Sequence, residues 1–328
     1  MTTAYITIDT EYSSGLYQGP GEDARQDNFT RSIACETARG PGGIGYQLEV
    51  LAQYGQKAVF YVDPMPALIW GNTAIEDVVG PILSAGQDVQ LHIHTEWLAL
   101  AKGQHALAKA LGSKTGTNIA DFTFEEQCTL LTYARDTLMA AGAPAPVAFR
   151  AGNYGANDDT LRALAELGLQ YDSSHCPGIV GGYADISLGP DDREPLNHCG
   201  VIEVPTGCIA ALPDGLRHAQ ITALSLGEMK AAMRHARATK QNALTFVSHS
   251  FELINRRTLA MNAIVKRRFE GLVRALSEMD GISSGNFRDN PPQSCANERA
   301  HVVLPADHLR TGWRLAEQFA SNTLYGAL

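Results

Sequence analysis

The chain has 328 residues, of which 45% are hydrophobic and 19% charged, an ordinary globular balance with enough length for a large core. Its formal net charge of −9 argues against a nucleic-acid partner or an anionic membrane surface, both of which favour a basic face. No apolar run reaches membrane-spanning length, the start "MTTAYITIDTEYSS" lacks a signal-peptide pattern, and six scattered cysteines without a CxxC read as free thiols, so a cytoplasmic protein is expected.

"AYITID" (4–9) predicts a first strand. The polar, Gly-rich stretch 13–43 has no steady period and reads as a long loop, which in a compact domain is either functional or disordered. "IGYQLEVLAQYG" (44–55) has helical spacing closed by Gly55, and "KAVFYVDP" (57–64) is a second strand. "AIEDVVGPILSAG" (74–86) is a helix that Pro81 should bend, and "DVQLHIH" (88–94) a third strand. Residues 122–142 form an amphipathic helix, with Thr123 as N-cap and Glu126 three residues later. A strand (147–152), a helix (157–168) and a short strand (169–174) follow, then an irregular region (176–200). The pattern continues with a strand (201–206), a helix (225–239), a strand (243–249), a long helix (258–279), a weak strand near 282–287 and one tail helix around 307–321.

Strands alternating with helices predict a parallel sheet, and seven or eight of them favour a (β/α) barrel over an open sheet. We read one α/β domain, 1–287, and a C-terminal extension, 288–328, that packs on the barrel or on a second subunit.

Residues i and i+2 of a strand share a face. Asp9 and Glu11 in "TIDTE", and His92 and His94 in "QLHIH", therefore form two pairs at the carboxyl ends of their strands, where parallel α/β folds place their ligands. Two carboxylates and two imidazoles there suit a zinc-type site with an open position for water. Arg150 in "VAFRAGNYG" can hold a carboxylate such as Asp9 in one orientation. His249, at the end of "TFVSH", can act as general acid or base, with Asp172 and Glu203 as weaker candidates for tuning it.

Taken in order, these segments resemble the polysaccharide deacetylase family, carbohydrate esterase family four with the NodB homology domain. "TIDTE" resembles its first motif in the D-x-E branch, "GQDVQLHIHTE" its second as far as His92, and "FRAGNYG" its third. "KAVFYVD", "IEVPT" and "TFVSHS" resemble further conserved segments of that family. The resemblance covers about residues 4–250 and implies a distorted (β/α)7 barrel of NodB type. It implies metal-dependent removal of N- or O-acetyl groups from a sugar or oligosaccharide, with Asp9 as base and Glu11 and His92 as metal ligands. Arg150 matches the residue that orients the base, and His249 the general acid.

The chain departs from the family at the second metal histidine, where Glu96 stands, and it adds His94. His94 is the preferred third ligand and Glu96 the alternative, because a strand-end i, i+2 pair needs no special turn. Zinc is the expected cation, with manganese, cobalt or nickel as alternatives. A backbone N–H near Gly152–Tyr154 is expected at the oxyanion, and Tyr154 and Trp97 at the substrate, Trp97 as pocket wall or packing residue. The insert at 12–43, with Tyr12 and Tyr17, would shape the pocket. Two other readings stay open: an amidohydrolase or deformylase of a small C–N substrate, and a non-catalytic sugar-binding homologue.

Overall fold

The computed structural model describes residues 2–103, 105–112, 116–179, 181–295 and 302–326. Runs rich in β-branched and aromatic residues form β1 (Thr2–Thr10) and β2 (Val59–Val62), and β3 (Asp88–Ile93) and β4 (Ala148–Ala151) follow. They are followed by β5 (Tyr171–Asp172), β6 (Val201–Glu203), β7 (Ala243–His249) and β8 (Ile282–Ser284). The first seven pair in parallel in the spatial order β7-β1-β2-β3-β4-β5-β6, and β8 runs parallel to the start of β1. Every residue of β2, β3 and β4 is buried, as in a sheet covered on both faces.

The sheet curls. Arg150 on β4 bonds to Thr7 and Asp9 on β1, each at 2.8 Å, although β2 and β3 lie between. In a flat sheet three strand spacings of about 4.8 Å would separate them. Alternation along β1 sets the two layers: Ala4, Ile6 and Ile8 pack outward into the main core, whereas Tyr5 joins Val59, Tyr61, Ala148 and Tyr171 in a separate inner cluster with Phe287. No ladder joins β6 to β7 among the described residues. The gap is bridged by single backbone bonds, from Gly207 N–H to Thr245 O (2.9 Å) and from Ile221 N–H to Val247 O (3.0 Å). The fold is thus a curled half-barrel, in agreement with the distorted (β/α)7 expectation.

The principal helices are α1 (Glu22–Phe29), α2 (Ile44–Gln53), α3 (Thr73–Ser84), α4 (Phe124–Ala140), α5 (Asp158–Glu166), α6 (Leu226–Thr239), α7 (Ala263–Glu278) and α8 (His308–Tyr325). The capping box read at Thr123 and Glu126 forms, with Thr123 N–H donating to Glu126 Oε2 at 2.9 Å. Two expectations are corrected. The stretch 13–43 is not a loop throughout, since it contains α1 and a small hairpin pairing Glu36–Thr37 with Gly40–Pro41. Only Arg25 and Asn28 of α1 are buried, so the helix shows no apolar period to detect. The helix expected at 258–279 begins at Ala263, because residues 254–261 form a hairpin and Asn262 caps the helix through Ile264 and Val265.

The tail packs on the barrel helices. Glu317 of α8 accepts from Arg268 of α7 at 2.8 Å, Arg314 donates to Glu228 of α6 at 3.2 Å, and Ser321 accepts from Asn262 at 2.8 Å.

Candidate active site

The carboxyl ends of β1, β3, β4 and β7 converge on one centre. His92 pairs in register with Arg150, and Asp9 with His249 and Tyr61. Just past β1, Glu11 Oε2 lies 3.1 Å from His92 Nε2 and 2.6 Å from His94 Nε2. The ligand atoms of these three side chains all lie within 4.8 Å of one another. Each imidazole is oriented through its other nitrogen. His92 Nδ1 donates to Arg150 O at 2.7 Å, and His94 Nδ1 lies 3.2 Å from Glu96 Oε2. Both Nε2 atoms are thereby left to the cluster, the arrangement in which a second partner fixes the tautomer of a metal-binding histidine.

Burial opposes the charge on Glu11, yet His94 and His92 hold its carboxyl well below the usual range. Burial likewise opposes a charged His94, and Glu11 and Glu96 raise its pKa all the same. A concentrated negative potential acts on these nitrogens, and a divalent cation would answer it better than a proton. The donor set therefore fits a metal of the zinc type. Glu96 opens a short helix, Glu96–Leu100, and bonds to His94 on its far nitrogen.

Asp9 is buried and anchored. Arg150 Nη1 donates to its Oδ1 at 2.8 Å, while Arg150 Nε and Nη2 donate to Ser173 O (3.1 Å) and Ser173 Oγ (3.0 Å). The guanidinium stacks 4.5 Å from the Tyr61 ring centroid. All three nitrogens of Arg150 are therefore engaged, so Asp9 has one defined position. Behind Ser173, Asp172 and Glu203 form a buried carboxyl pair. Burial pushes both pKa values up, and the neighbouring charge of Asp172 raises Glu203 further. Asp172 accepts from Ser174 N–H (2.9 Å) and Glu203 from His175 N–H (3.0 Å).

The acidic neighbour of His249 is neither of these. His249 Nδ1 lies 3.0 Å from Glu252 Oε1, and Nε2 lies 3.8 Å from Asp9 Oδ2. Burial disfavours the charged ring, but the charge and hydrogen bond of Glu252, with Asp9 and Glu11, outweigh it and push the pKa up to about 9. Gln220 and Thr222 also donate to Glu252 Oε1. The sequence reading missed Glu252, although "HSFE" places it one turn after the histidine. It also missed Asp63, at the end of β2 in "YVDP", whose Oδ1 accepts from Met65 N–H at 3.0 Å and from His94 N–H at 3.4 Å. Burial pushes Asp63 up to about 7, against the pull of His94 and His92. An acid at the end of a second barrel strand was the available signal.

Gly152 makes room for His94: a Cβ there would stand 2.7 Å from the imidazole and 2.7 Å from Ile93 O. Asn153 and Tyr154 follow with φ of 56° each, a left-handed turn costing roughly 1–2 kcal/mol per residue. The Tyr154 hydroxyl is buried without a hydrogen-bond partner among the described residues, and its pKa is raised by burial. Trp97 is placed differently from its expected contact with substrate. It is fully buried and meets Trp70 (5.3 Å) and Tyr17 (6.2 Å) edge-on. It belongs to an aromatic cluster that ties Tyr17 of the insert to Trp70 of the barrel.

No protein-family model matches the sequence, and no curated protein matches it. The structure is similar to that of a "putative polysaccharide deacetylase from Mycobacterium smegmatis", with a TM-score of 0.55 and 16% identity over 92% of this chain and 95% of that one. It also matches a family 4 carbohydrate esterase from Streptomyces lividans in complex with acetate (TM-score 0.44, 12% identity, 92% and 98% of the two chains). A polysaccharide deacetylase from Bacillus cereus matches with a TM-score of 0.42 and 13% identity over 92% and 100% of the two chains. The chain has a fold of the NodB type, in agreement with the resemblance read from its motifs.

Proposed function

We propose that the protein is a metal-dependent hydrolase that removes acetyl groups, N-acetyl above all, from an amino sugar or oligosaccharide. One observation carries this reading: a Glu11–His92–His94 donor cluster is flanked by an Arg150-anchored Asp9 and a Glu252-anchored His249. Glu11, His92 and His94 would hold a divalent cation, which would supply Lewis acidity to a water and to the acyl carbonyl. Asp9, fixed by Arg150, removes the proton of the attacking water. The backbone N–H groups of the 152–154 turn donate to the developing oxyanion. His249, kept protonated by Glu252, delivers its proton to the leaving amine.

The test is a product assay. Protein stripped by a chelator is reloaded with zinc, manganese, cobalt or nickel and incubated with N-acetylated, O-acetylated and N-formylated sugars. Metal-dependent release of acetate supports the proposal. Release of formate alone moves the assignment to a deformylase. No product, with no change in melting temperature on added metal, supports a non-catalytic sugar-binding protein.

A further inference from the structure

A pocket of about 540 Å³ opens beside His249 and Glu252, and Arg256 and Arg257 also line it. In the reaction proposed above, His249 faces the leaving amine, so this pocket receives the amine-bearing part of the substrate. Its lining holds three cationic groups, His249, Arg256 and Arg257, against the single carboxylate of Glu252. That carboxylate is already engaged by His249 and Gln220.

Arg256 is the central feature. Its guanidinium carbon lies 4.0 Å from the Phe251 ring centroid, and the Phe251 ring lies 5.2 Å from that of His249. The stack fixes the plane of the guanidinium next to the acid. Among the described residues its side chain has no hydrogen bond and no ion pair, while other half-buried or buried arginines here, such as Arg25, Arg150 and Arg268, are paired with carboxylates. Burial holds its pKa below the usual guanidinium range, outweighing the pull of Glu11. The loop that carries it is firmly built. Asn255 accepts from Arg257 N–H (2.9 Å) and Thr258 N–H (3.1 Å), and donates to Tyr325 O of α8 at 2.7 Å. A planar, half-buried fork with its donors unfilled matches a carboxylate or a phosphate. The chain as a whole carries −9, so attraction of an anion must come from this local excess of positive charge.

We propose that Arg256, with Arg257 at the rim, binds an anionic group on the amine-bearing part of the substrate, so that the preferred substrate is an acidic acetylated amino sugar. This rests on the deacetylase reading for its substrate, but not for its binding test. Metal-loaded protein is titrated calorimetrically with glucosamine, glucosaminuronic acid and glucosamine 6-phosphate, which differ only at one substituent. The acidic ligands should bind more tightly than glucosamine, and R256Q should remove that preference, a change of roughly ten- to a hundredfold for a charge-assisted pair. The carboxylate and phosphate arms identify the anion. In the acetate assay with the N-acetylated counterparts, R256Q should lower the acidic-to-neutral ratio of kcat/KM by a similar factor, with the loss in KM. Equal affinities in the wild type, or a preference that survives in folded R256Q, would overturn the subsite. Acetate release without any acidic preference defeats the subsite alone. No acetate from any sugar, with the binding preference intact, defeats the deacetylase reading alone.

Discussion

His249 Nδ1 lies 3.0 Å from Glu252 Oε1, three residues further along the same turn. This contact turns a strand-end histidine into a group that stays protonated at neutral pH, with its pKa pushed up to about 9. An acid catalyst with a raised pKa is active below that value and fails as the pH rises through it. The same sign holds for stability: the contribution is complete below the unfolded histidine value of about 6.5 and is lost as the pH rises through about 9.

Glu252→Gln removes the charge that opposes desolvation. The alkaline limb of the kcat profile should therefore move down by a unit or more, with turnover at pH 8 lower by about twofold for a one-unit shift and about tenfold for two units. A pH–kcat profile of the two proteins checks this, and an unmoved limb would remove Glu252 from its role.

The second prediction separates His94 from Glu96. His94→Ala and His92→Ala should abolish tight metal binding. Glu96→Ala should weaken it only about 10- to 100-fold, because Glu96 orients the imidazole from its far nitrogen. Competition against a chromophoric chelator measures all three. Loss of metal in Glu96→Ala with retention in His94→Ala would reverse the assignment.

Much of this was legible in the sequence, for definite reasons. Strand periodicity puts Asp9 with Glu11 and His92 with His94 at one end of a parallel sheet, and the structure joins Glu11, His92 and His94. The Arg150–Asp9 contact was anticipated as chemistry, but its reach across two intervening strands depends on the curl of the sheet, which no local pattern encodes. Glu252 and Asp63 escaped because a carboxylate just past a strand end has many uses, and only packing shows that it is buried near a histidine. The helix α1 escaped because its stability comes from polar anchors. Asn28 exchanges bonds with Ser13 in both directions (2.8 and 2.9 Å), and Trp70 Nε1 donates to Gly19 O at 3.1 Å.

A third prediction concerns Arg150. It has no exposed surface, and its removal would leave Asp9 buried beside an empty space. Arg150→Ala should destabilise the protein by about 3–5 kcal/mol, the usual result of breaking a buried pair from one side. Arg150→Lys should recover part of the stability but little of the turnover, since an ammonium cannot hold Asp9, Thr7 and Ser173 at once. Urea unfolding with parallel assays distinguishes the two effects. Full activity in Arg150→Lys would show that orientation of Asp9 is not needed.

We propose Asp9 as the base beside a metal held by Glu11, His92 and His94. The most direct measurement is acetate release by zinc-loaded Asp9→Asn against zinc-loaded wild type, with bound zinc quantified in both. The wild type should release acetate, and the variant should hold the same zinc while its turnover falls by roughly 10²–10⁴-fold. Undiminished acetate release by Asp9→Asn would show that Asp9 is not the base.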